Sequence, residues 1–496
     1  MAILTREETT PACGHPSLKR RGVFCRYKFR AEHVCFSEIC RNSAIRGLAM
    51  MIDVTNFGAA GDGKTDDTES LQHAVDMGGG TLEFPPGTFV INKPIEVDLA
   101  KVGPFGIRGA AGTTAVVMNG PGPAFRIRGT HEGTAAPESW TDQTRFRERF
   151  PTISDIEIRG GHPDAVGIEF VKAAKPTIRN VLIRFCRTGI HLRERNRDVL
   201  IADSHIYDNA DYGIFLDHVN LHQMNVCGCH ISYNKGAAIA MVGGDLHNIQ
   251  ITGNDIEYSH SPDFLRPGSA EIEIDAREGV ASEITIASNT IQARKSVDGA
   301  NIRIRGTIGA DAFPSVRLIT ITANVIGSQE SSIVLDKAQR VTITGNTIYD
   351  GHKIGLIATD CDGLAISANV HGWSHAADKP RPDHYEFRRC VGLSVAGEVF
   401  QTVGGETAVI SLYECRGATL GNLVVRDAAA RGIYLERCED IAITGCAIAG
   451  KPGQTLAAAI EATPDCRNLA IVGNVARGGP IKCEAASGQV GNNQVG

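Results

Sequence analysis

The sequence predicts an all-β fold, a single parallel β-helix whose N-terminal end is closed by a short capping helix. Three observations predict it. From about residue 150 onward, short strands with alternating apolar residues recur at a nearly regular interval. A small polar residue stands at the same place in most repeats, and a second apolar phrase, such as "GIFLD" or "SIVLD", lies between them. Short strands with a fixed polar corner and no helical period describe a solenoid of stacked coils.

The first phrase reads as a strand, a small residue and a further apolar position, as in "IQITGNDIEYS" and "VTITGNTIYDG". Most repeats are 22 to 28 residues long, and two are 35. Successive coils should stack at about 4.8 Å, so the recurrent asparagines are predicted to form a ladder of side-chain amides. The aligned positions are Ser204, Cys229, Asn254, Asn289, Asn324, Asn346, Asn369, Cys446 and Asn474.

A column of cysteines supports the same stacking. Five late coils each carry one cysteine just before a strand: Cys361, Cys390, Cys415, Cys438 and Cys466. We expect buried thiols that fill one corner, with disulfides as the alternative if the side chains angle toward each other. Thiols and the lack of a secretory signal favour a reducing compartment, so a cytoplasmic protein is the default expectation.

The stretch "GDGKTDDTESLQHAVDMGGG", residues 61–80, is predicted to supply the capping helix over residues 66–77. Thr65 or Asp66 is the expected N-cap, and the buried face is formed by Leu71, Ala74 and Val75. A phosphate-binding loop is rejected for these letters. Calcium bound by the aspartates is the alternative to the capping role, and the sequence otherwise requires no metal; the aspartates concerned are Asp62, Asp66 and Asp67.

The composition excludes two classes of protein. A net charge of -6 on 496 residues argues against a nucleic-acid-binding face, and no apolar run approaches the roughly 20 residues of a membrane span. Residues 1–50 form a basic, cysteine-containing extension, which we expect to be disordered or translated from upstream of a true start at Met50 or Met51. A zinc cluster is the alternative there, although its spacings fit no standard pattern; its ligands would be Cys13, His15, Cys25, His33, Cys35 and Cys40.

The letters "NFGAAGDGKTDDTESLQHAV", followed by "GGGTLEFPPGTFVI", resemble the opening signature of the pectate-lyase-like superfamily. They are similar in particular to the rhamnogalacturonase and polygalacturonase type of N-terminal region. The resemblance covers residues 53–91, and the later coils resemble right-handed parallel β-helix repeat proteins in pattern. It implies a right-handed solenoid over residues 51–496, with the cap and first coils in 51–130 and regular coils in 151–496. It also implies a polysaccharide-related role.

The catalytic motifs of polygalacturonase-type hydrolases are not present in their order. The Asp-Asp pair, Asp66 and Asp67, falls in the predicted cap. "DGHKIG" at 350–355 echoes the histidine motif of those enzymes, and "NIRIRG" at 301–306 echoes a motif that should follow it. The resemblance therefore predicts the fold and leaves the chemistry open.

The second phrase predicts a charged surface patch, because side chains alternate between interior and surface along a strand. Its apolar positions point inward: Ile214, Leu216, Ile272, Ile274, Ile302, Ile304, Ile333 and Leu335. Its charged positions then point outward: Asp217, Glu273, Asp275, Arg303, Arg305 and Asp336.

We take Asp217, Glu273, Asp275 and Asp336 as the candidate catalytic carboxylates. Asp275 and Asp336 stand two coils apart, roughly 9.6 Å, and carboxyl separations of about 6.5–9.5 Å suit an inverting glycosidase. The patch also offers arginines for a uronate carboxylate. The alternative is a solvated sheet face in which these charges pair across strands.

Other candidate substrate-binding residues lie outside the carboxylate columns. Arg303 and Arg305 are the candidate carboxylate-binding pair. Tyr258 and His260, at a turn, could remove the C5 proton of a uronate in a lyase. Trp373 opens the insertion of residues 372–390 and is either a sugar-stacking platform or the apolar anchor of that insertion.

The sequence therefore predicts a carbohydrate-active enzyme that cleaves a uronate-containing polysaccharide by hydrolysis or β-elimination. One alternative is a non-catalytic glycan-binding or structural β-helix, like the shaft of a tailspike. The other is a sugar epimerase on the same scaffold. The expected partner is a polysaccharide or oligosaccharide, with no nucleic acid or membrane, and the expected state is a monomer or a homotrimer.

Overall fold

The computed structural model describes residues 50–133, 136–259, 268–309, 313–373 and 383–496. The β-helix lies in one unit, Ala49–Gly496. Apart from Met50, the extension predicted for residues 1–50 and its zinc alternative lie outside the described residues, and so does His260.

Two parallel sheets build the solenoid, each strand pairing with its counterpart one coil away. The described strands of the larger, 28-stranded sheet are Met50–Asp53, Gly80–Phe84, Ile95–Asp98, Phe105–Gly109, Gly122–Arg128, Thr152–Ser154, Ala165–Ala174, Thr177–Arg179, Thr188–Ala202, Tyr212–Cys227, Ala237–Thr252, Ala270–Ala287, Ala300–Arg305, Val316–Thr322, Ser331–Asp336, Ala338–Thr344, Ile354–Thr359, Asp362–Ser367, Tyr385–Arg388, Val391–Ala396, Ile410–Tyr413, Arg416–Gly421, Arg431–Glu436, Glu439–Thr444, Ala458–Ala462, Arg467–Val472, Ile481–Cys483 and Gly488–Gly491.

The second sheet consists of shorter strands: Asp62–Asp66, Gly87–Ile91, Thr114–Met118, Glu157–Gly160, Leu182–Arg184, His205–Tyr207, His230–Ser232, Asp255–Glu257, Thr290–Gln292, Val325–Gly327, Thr347–Tyr349, Val370–Gly372, Val399–Gln401, Val424–Ala428, Ala447–Gly450, Val475–Arg477 and Gln494–Val495. The helical segments are few and short: Val54–Phe57, Thr68–Asp76, Leu99–Val102, Pro137–Ser139 and Gln143–Arg147.

Each regular coil has three faces. In the coil that begins at Tyr212, the first face is residues 212–217, the second face is residues 219–227 and the third face is His230–Ser232. His218, with a φ of 46°, makes the corner between the first and second faces. The eight aliphatic side chains predicted to point inward from the first face are at most 1% exposed, which confirms the predicted alternation.

The predicted asparagine ladder is confirmed. Asn254 donates to Asn289 Oδ1 through both its backbone N and its Nδ2, each at 3.0 Å, and the same pair of bonds repeats coil by coil to Asn369. Glu398 ends the run: its Oε1 accepts from Asn369 N at 3.0 Å and Nδ2 at 2.9 Å. Tyr385 OH donates to Glu398 Oε2 at 3.1 Å. A carboxyl group supplies the terminal acceptor that a directional row of amides needs.

The predicted cysteine column is confirmed as a row of buried thiols. All five side chains are free and at most 1% exposed. Their sulfurs lie against backbone carbonyls of the preceding coil, as Cys390 Sγ does at 3.4 Å from Ala358 O and Cys438 Sγ at 3.4 Å from Leu412 O. The column therefore fills the corner with small apolar groups, and the disulfide alternative does not form.

The capping helix begins two residues later than predicted. It spans Thr68–Asp76, with Asp67 at the N-cap position instead of Thr65 or Asp66. Asp66 nevertheless caps from one position earlier, because its Oδ1 accepts from Thr68 N at 3.0 Å. The predicted apolar face of the helix is fully buried.

The rejection of a phosphate-binding loop before this helix rested on a wrong statement about its spacing. The letters "GAAGDGKT", residues 58–65, do have the spacing of a phosphate-binding loop, so the sequence alone did not justify rejecting one. The structure fills the loop with the chain's own carboxylates. Asp67 accepts from Ala60 N at 2.6 Å and Gly61 N at 3.2 Å, and Asp62 accepts from the backbone N atoms of residues 64 and 65. The amides that would cradle a phosphate already have partners.

We expect Asn324→Ala to lower the free energy of unfolding by about 3 kcal/mol, because it leaves several buried amide groups without partners. Denaturant unfolding measures this loss. Asn225→Ala is the matched control, since Asn225 is exposed on the same solenoid and its loss should cost less than about 0.5 kcal/mol. Equal losses for the two variants would contradict a stabilising role for the ladder.

Burial raises the pKa of Glu398 from 4.5 to about 7, against the lowering effect of its bonds from Asn369 and Tyr385. A raised carboxyl pKa stabilises the fold fully below pH 4.5, and this stability is lost as the pH rises through 7. As the pH rises from 4.5 to 7, the free energy of unfolding of Glu398→Gln should therefore increase by about 3 kcal/mol relative to that of the natural protein. Thermal unfolding of both proteins across this range tests it, and a pH-independent difference would refute it.

Candidate functional site

The predicted outward patch forms on the first face. The register between coils places Asp217, Asp275, Arg305 and Asp336 in one column, with Val242 between the first two. Asp275 and Asp336 are two coils apart, as the sequence predicts. The geometry of an inverting pair is therefore present in the backbone, at roughly 9.6 Å.

Two of the predicted carboxylates are buried in ion pairs. Glu273 and Asp275 are only 6% and 8% exposed. Arg305 Nη2 binds Glu273 Oε1, and Arg305 Nε lies 3.6 Å from Asp275 Oδ2. Arg277 binds both oxygens of Asp275, at 2.8 and 2.6 Å. Burial raises the pKa of Asp275, but the bonds from Arg277 outweigh it, so the net pKa is lowered and the carboxyl is ionised at neutral pH.

Asp217 belongs to a histidine network nearer the N-terminal end. Its carboxylate lies 3.1 Å from His191 Nε2 and 2.8 Å from His218 Nδ1. His191 Nδ1 also lies 3.3 Å from Glu169 Oε2, and Arg126 Nε binds Glu169 at 2.5 Å. Burial raises the pKa of Glu169, yet the bonds from His191 and Arg126 hold it at about 2. The first face is thus a ladder of alternating, compensated charges.

Asp336 and Arg303 complete the predicted patch. Asp336 pairs with its neighbour Lys337 at 3.4 Å. Arg303 Nη2 donates to the backbone carbonyl of Asp298. Burial and the adjacent charge of Arg305 lower the pKa of Arg303. The structure therefore gathers all six predicted charged residues on one face and gives them partners within the protein.

The predicted aromatic residues lie elsewhere. Tyr258 stands at the corner between the third and first faces, in a file with Tyr207 and Tyr233 whose ring centroids are 6.2 and 6.0 Å apart. Trp373 follows Val370–Gly372 at the same corner, four coils further along, roughly 19 Å away. This corner is at the other end of the first-face strands from Asp275, so the structure does not bring either aromatic to the carboxylates.

A cavity of about 260 Å³ opens beside the patch, at the corner where the first face turns into the second. It is lined by Glu132, Gly133, Arg195, Asn220, Leu221, His222, Asp245 and His247. None of the predicted site residues that the structure describes is in this lining.

The cavity is built from equivalent positions of three successive coils. Arg195, Asn220 and Asp245 are in register. Arg195 Nη1 donates to Asn220 Oδ1, and Asn220 Nδ2 donates to Asp245 Oδ2 at 3.2 Å. Asp245 Oδ1 lies 2.9 Å from His247 Nε2, which fixes that ring. A cation, an amide, a carboxylate and an imidazole thus share one wall.

Arg195 is a buried cation with no carboxylate in direct contact within the described residues, although Asp245 and Asp198 act on it from further away. It is 7% exposed, and no carboxylate of the described residues lies within 4.0 Å of its guanidinium. Its Nη2 is 3.5 Å from His131 Nε2, and its Nε is buried without a hydrogen-bond partner. Burial and the nearby charge of Arg197 lower the pKa of Arg195. Because an unpaired buried charge costs stability, a site of this kind suits an anionic ligand.

His222 supplies a neutral imidazole next to that cation. Burial, then the positive charges of Arg197 and Arg195, lower the pKa of His222. Asn248 Nδ2 lies 3.2 Å from His222 Nε2. The ring is therefore uncharged at neutral pH, and it can take up a proton at Nε2 once the contact with Asn248 is released.

A segment inserted between two coils walls the cavity. It carries His131 and Trp140, whose rings stack with centroids 5.1 Å apart. The Trp140 ring also packs on the guanidinium of Arg197 at 4.4 Å and lies 4.9 Å from Lys175 Nζ. Burial, together with the charges of Arg195 and Arg197, lowers the pKa of His131 to about 4. The wall is therefore uncharged on its His131 side and shields Arg195 from water.

A sequence signal could have found this site. Arg195, Asn220 and Asp245 are 25 residues apart, and so are Arg197, His222 and His247. Hydrogen-bonding and ionisable residues therefore recur at two positions of three successive repeats. The predicted site residues come from the strand phrases and from the turn after the asparagine, and this corner belongs to neither.

Two further findings concern the described ranges alone. They contain no group of three or more His, Cys, Asp or Glu side chains arranged to hold a metal ion. None of the helices in them is long and apolar enough to cross a membrane.

Two family descriptions match the chain. "Rhamnogalacturonase A/epimerase, pectate lyase-like" matches residues 51–122, and "Right handed beta helix region" matches residues 148–291. Both matches support a pectate-lyase-like right-handed β-helix. Both the predicted family and the predicted hand of the solenoid are thereby confirmed.

Individual relatives of this β-helix protein are distant or short. Alginate lyase 7 of Azotobacter vinelandii is 47% identical over 47 residues, which is 9% of this chain and 6% of that protein's length. The catalytic unit of an α-1,3-glucanase from Streptomyces thermodiastaticus is 17% identical, covers 90% of this chain and 70% of its own, and has a TM-score of 0.49. The tailspike gp61 of Pseudomonas phage phi297 is 13% identical, covers 86% and 80%, and has a TM-score of 0.47.

In this β-helix protein, Arg305→Met should lower the free energy of unfolding by about 3 kcal/mol, because it leaves the buried Glu273 carboxylate without its cation and removes one of the two guanidinium groups at Asp275. Arg277→Met is the matched control: it removes the other guanidinium on Asp275, but that side chain is 54% exposed and its loss should cost less than about 1 kcal/mol. Urea unfolding of both variants compares them. A loss at Arg277 as large as that at Arg305 would contradict the buried pairing.

Proposed function

We propose that the protein is an enzyme of polysaccharide breakdown that removes the C5 proton of a uronate residue and cleaves the chain by β-elimination. The observation that carries this proposal is that Arg195 is buried at the corner cavity with no carboxylate of the described residues in direct contact. A uronate carboxylate is an anion of the size that the site accommodates, and a guanidinium can bind both of its oxygens.

The chemistry needs two things that the cavity offers. Binding of the carboxylate by Arg195 withdraws electron density and makes the adjacent C5–H bond more acidic. A neutral base must then take the proton, and His222 is neutral for the reasons given above. The Asp245–His247 pair supplies the second proton-transfer group on the same wall.

The steps balance without a further reactant. His222 takes the proton from C5, the C5 electrons form a double bond to C4, and the C4–O bond breaks. The leaving oxygen takes up a proton, which we assign to the His247 side. The products are one chain with an unsaturated uronate end and one with a new hydroxyl end.

Hydrolysis on the first face is the second candidate function. The observation that favours it is the two-coil separation of Asp275 and Asp336, which matches an inverting pair. Against it stands the ion pairing of Asp275, because Arg277 and Arg305 already hold the oxygens that would have to activate water. An epimerase would share the C5 proton removal and return the proton to the opposite side of the ring.

A panel of uronate-containing and neutral polysaccharides separates these functions. Ultraviolet absorbance of an unsaturated uronate together with new reducing ends indicates β-elimination. Reducing ends alone indicate hydrolysis. In that case Glu273, Asp275 and Asp336 are the first residues to mutate. Exchange of C5 hydrogen with solvent, without cleavage, indicates epimerisation. Binding with none of these signals would show a non-catalytic glycan-binding solenoid.

Arg195→Met should reduce turnover of the cleaved polymer by about 100-fold, the value of one lost charge-assisted contact. It should not lower the melting temperature, because it removes an unpaired buried charge. Arg193→Met is the matched control: Arg193 is two residues earlier in the same strand, half exposed, and should leave turnover within about threefold. Equal activity of the two variants would contradict the proposed binding of the uronate carboxylate by Arg195.

A further inference from the structure

The cysteine column occupies a position that packing alone fills without sulfur. Each of its residues is the first inward side chain of the second face, and the register stacks them coil on coil. In three preceding coils the same position holds Ala281, Val316 and Ala338, each at most 1% exposed. Alanine or valine therefore satisfies the core there. Five consecutive coils use cysteine instead: Cys361, Cys390, Cys415, Cys438 and Cys466.

The sulfurs repeat one geometry along the column. The Sγ atoms of Cys390, Cys415 and Cys438 each lie 3.4 or 3.5 Å from two carbonyl oxygens, one in their own coil and one in the preceding coil. Because the side chains share this orientation, successive sulfurs are separated by the coil spacing, about 4.8 Å. Two metal–thiolate bonds of about 2.3 Å placed end to end span about 4.6 Å. The gaps between sulfurs thus match an ion held by two thiolates in a line.

Backbone groups around the sulfurs also suit thiolates. The backbone N–H of Cys438 donates to Cys466 Sγ at 3.4 Å. A hydrogen bond donated to sulfur stabilises its ionised form. The thiols also interact with one another along the column, Cys390 with Cys361 and Cys415, and Cys438 with Cys415 and Cys466. The five sulfurs are therefore one connected row.

The arrangement selects the kind of ion. Thiolates prefer soft ions such as Cu(I), which binds two sulfurs in a line. Zinc in a structural site takes four ligands in a tetrahedron, and the described ranges contain no group of three or more suitable side chains around one point. Five thiolates with four monovalent ions carry a net charge of only -1. Four divalent ions would leave a net charge of +3 in a buried corner, which is far more costly.

We propose that the cysteine column binds Cu(I), with one ion between each pair of neighbouring sulfurs. On binding, the S–H bond of each cysteine breaks and its proton leaves to solvent. Each end sulfur then forms one bond to copper, and each inner sulfur forms two. No electron is transferred, so the step needs no oxidant or reductant. The site is independent of the corner cavity and of the cleavage reaction proposed there.

The number of bound copper ions tests the column directly. The reduced protein is loaded with Cu(I) without oxygen, a Cu(I) chelator removes loosely bound ions, and native mass spectrometry counts the rest. Cys415→Val removes the middle sulfur and both of its gaps, so it should bind two fewer ions than the parent protein. Cys466→Val removes an end sulfur and should bind one fewer. Both variants should fold, because Val316 already fills this position in an earlier coil.

Controls separate the column from the other cysteines. Cys446 is equally buried but belongs to the asparagine ladder, where its N–H donates to Asn474 Oδ1 at 2.9 Å. Cys446→Val should therefore bind as many copper ions as the parent. Zn(II) should show no difference between the parent and Cys415→Val. The parent in all comparisons has the cysteines of the N-terminal extension replaced: Cys13→Ser, Cys25→Ser, Cys35→Ser and Cys40→Ser.

The loading is repeated with Cu(I) present while the protein refolds from urea, so that burial of the column does not by itself prevent entry. A loss of two ions in Cys415→Val and one in Cys466→Val, under either condition, supports the proposal. Equal copper content of the parent and Cys415→Val under both conditions would overturn it. A loss in Cys446→Val as large as that in Cys415→Val would overturn it as well, because copper would then bind buried thiols without regard to their stacking.

Discussion

The register between coils is the constraint on which the rest of the molecule depends. Backbone hydrogen bonds alone would tolerate a slip of the stack, since every strand carries the same repeating donors and acceptors. The asparagine ladder removes that freedom, because each buried amide has one place where its donors and acceptor are all satisfied. Glu398 closes the row with a carboxyl group, so the ladder ends at a residue that only needs to accept.

Fixed register turns a sequence interval into a column of side chains. Residues 25 positions apart become neighbours about 4.8 Å apart, whatever lies between them. On the first face this yields compensated charges, such as Glu273 with Arg305. At the next corner it yields Arg195, Asn220 and Asp245. The same rule therefore builds a stabilising surface and a cavity from adjacent positions of the same coils.

The fold was predictable from the sequence because it depends on local features that recur in each repeat. Alternating aliphatic residues, the small residue at the corner and the cysteine column each recur, and each was found where the repeats placed it. The exact start of the capping helix was not, because Asp66 and Asp67 are both good capping residues and the structure gives Asp67 to the preceding loop. Rejecting a phosphate-binding loop at residues 58–65 from the sequence was a further error, since the spacing of these residues is that of the motif. Only the structure shows that Asp62 and Asp67 already occupy the amides of this loop.

The corner cavity was missed for a different physical reason. Alternation predicts which residues face outward, but it does not predict whether a charge finds a partner. Asp275 and Arg195 both lie at outward or corner positions, yet Asp275 is held by two guanidinium groups and Arg195 by no carboxylate in the described residues. The surroundings of Arg195 depend on an inserted segment that brings His131 against Arg195 and Trp140 against Arg197, and no repeat encodes that segment. A compensated buried charge can be retained for the fold alone, whereas an uncompensated one lowers stability and is best explained by a ligand that completes it.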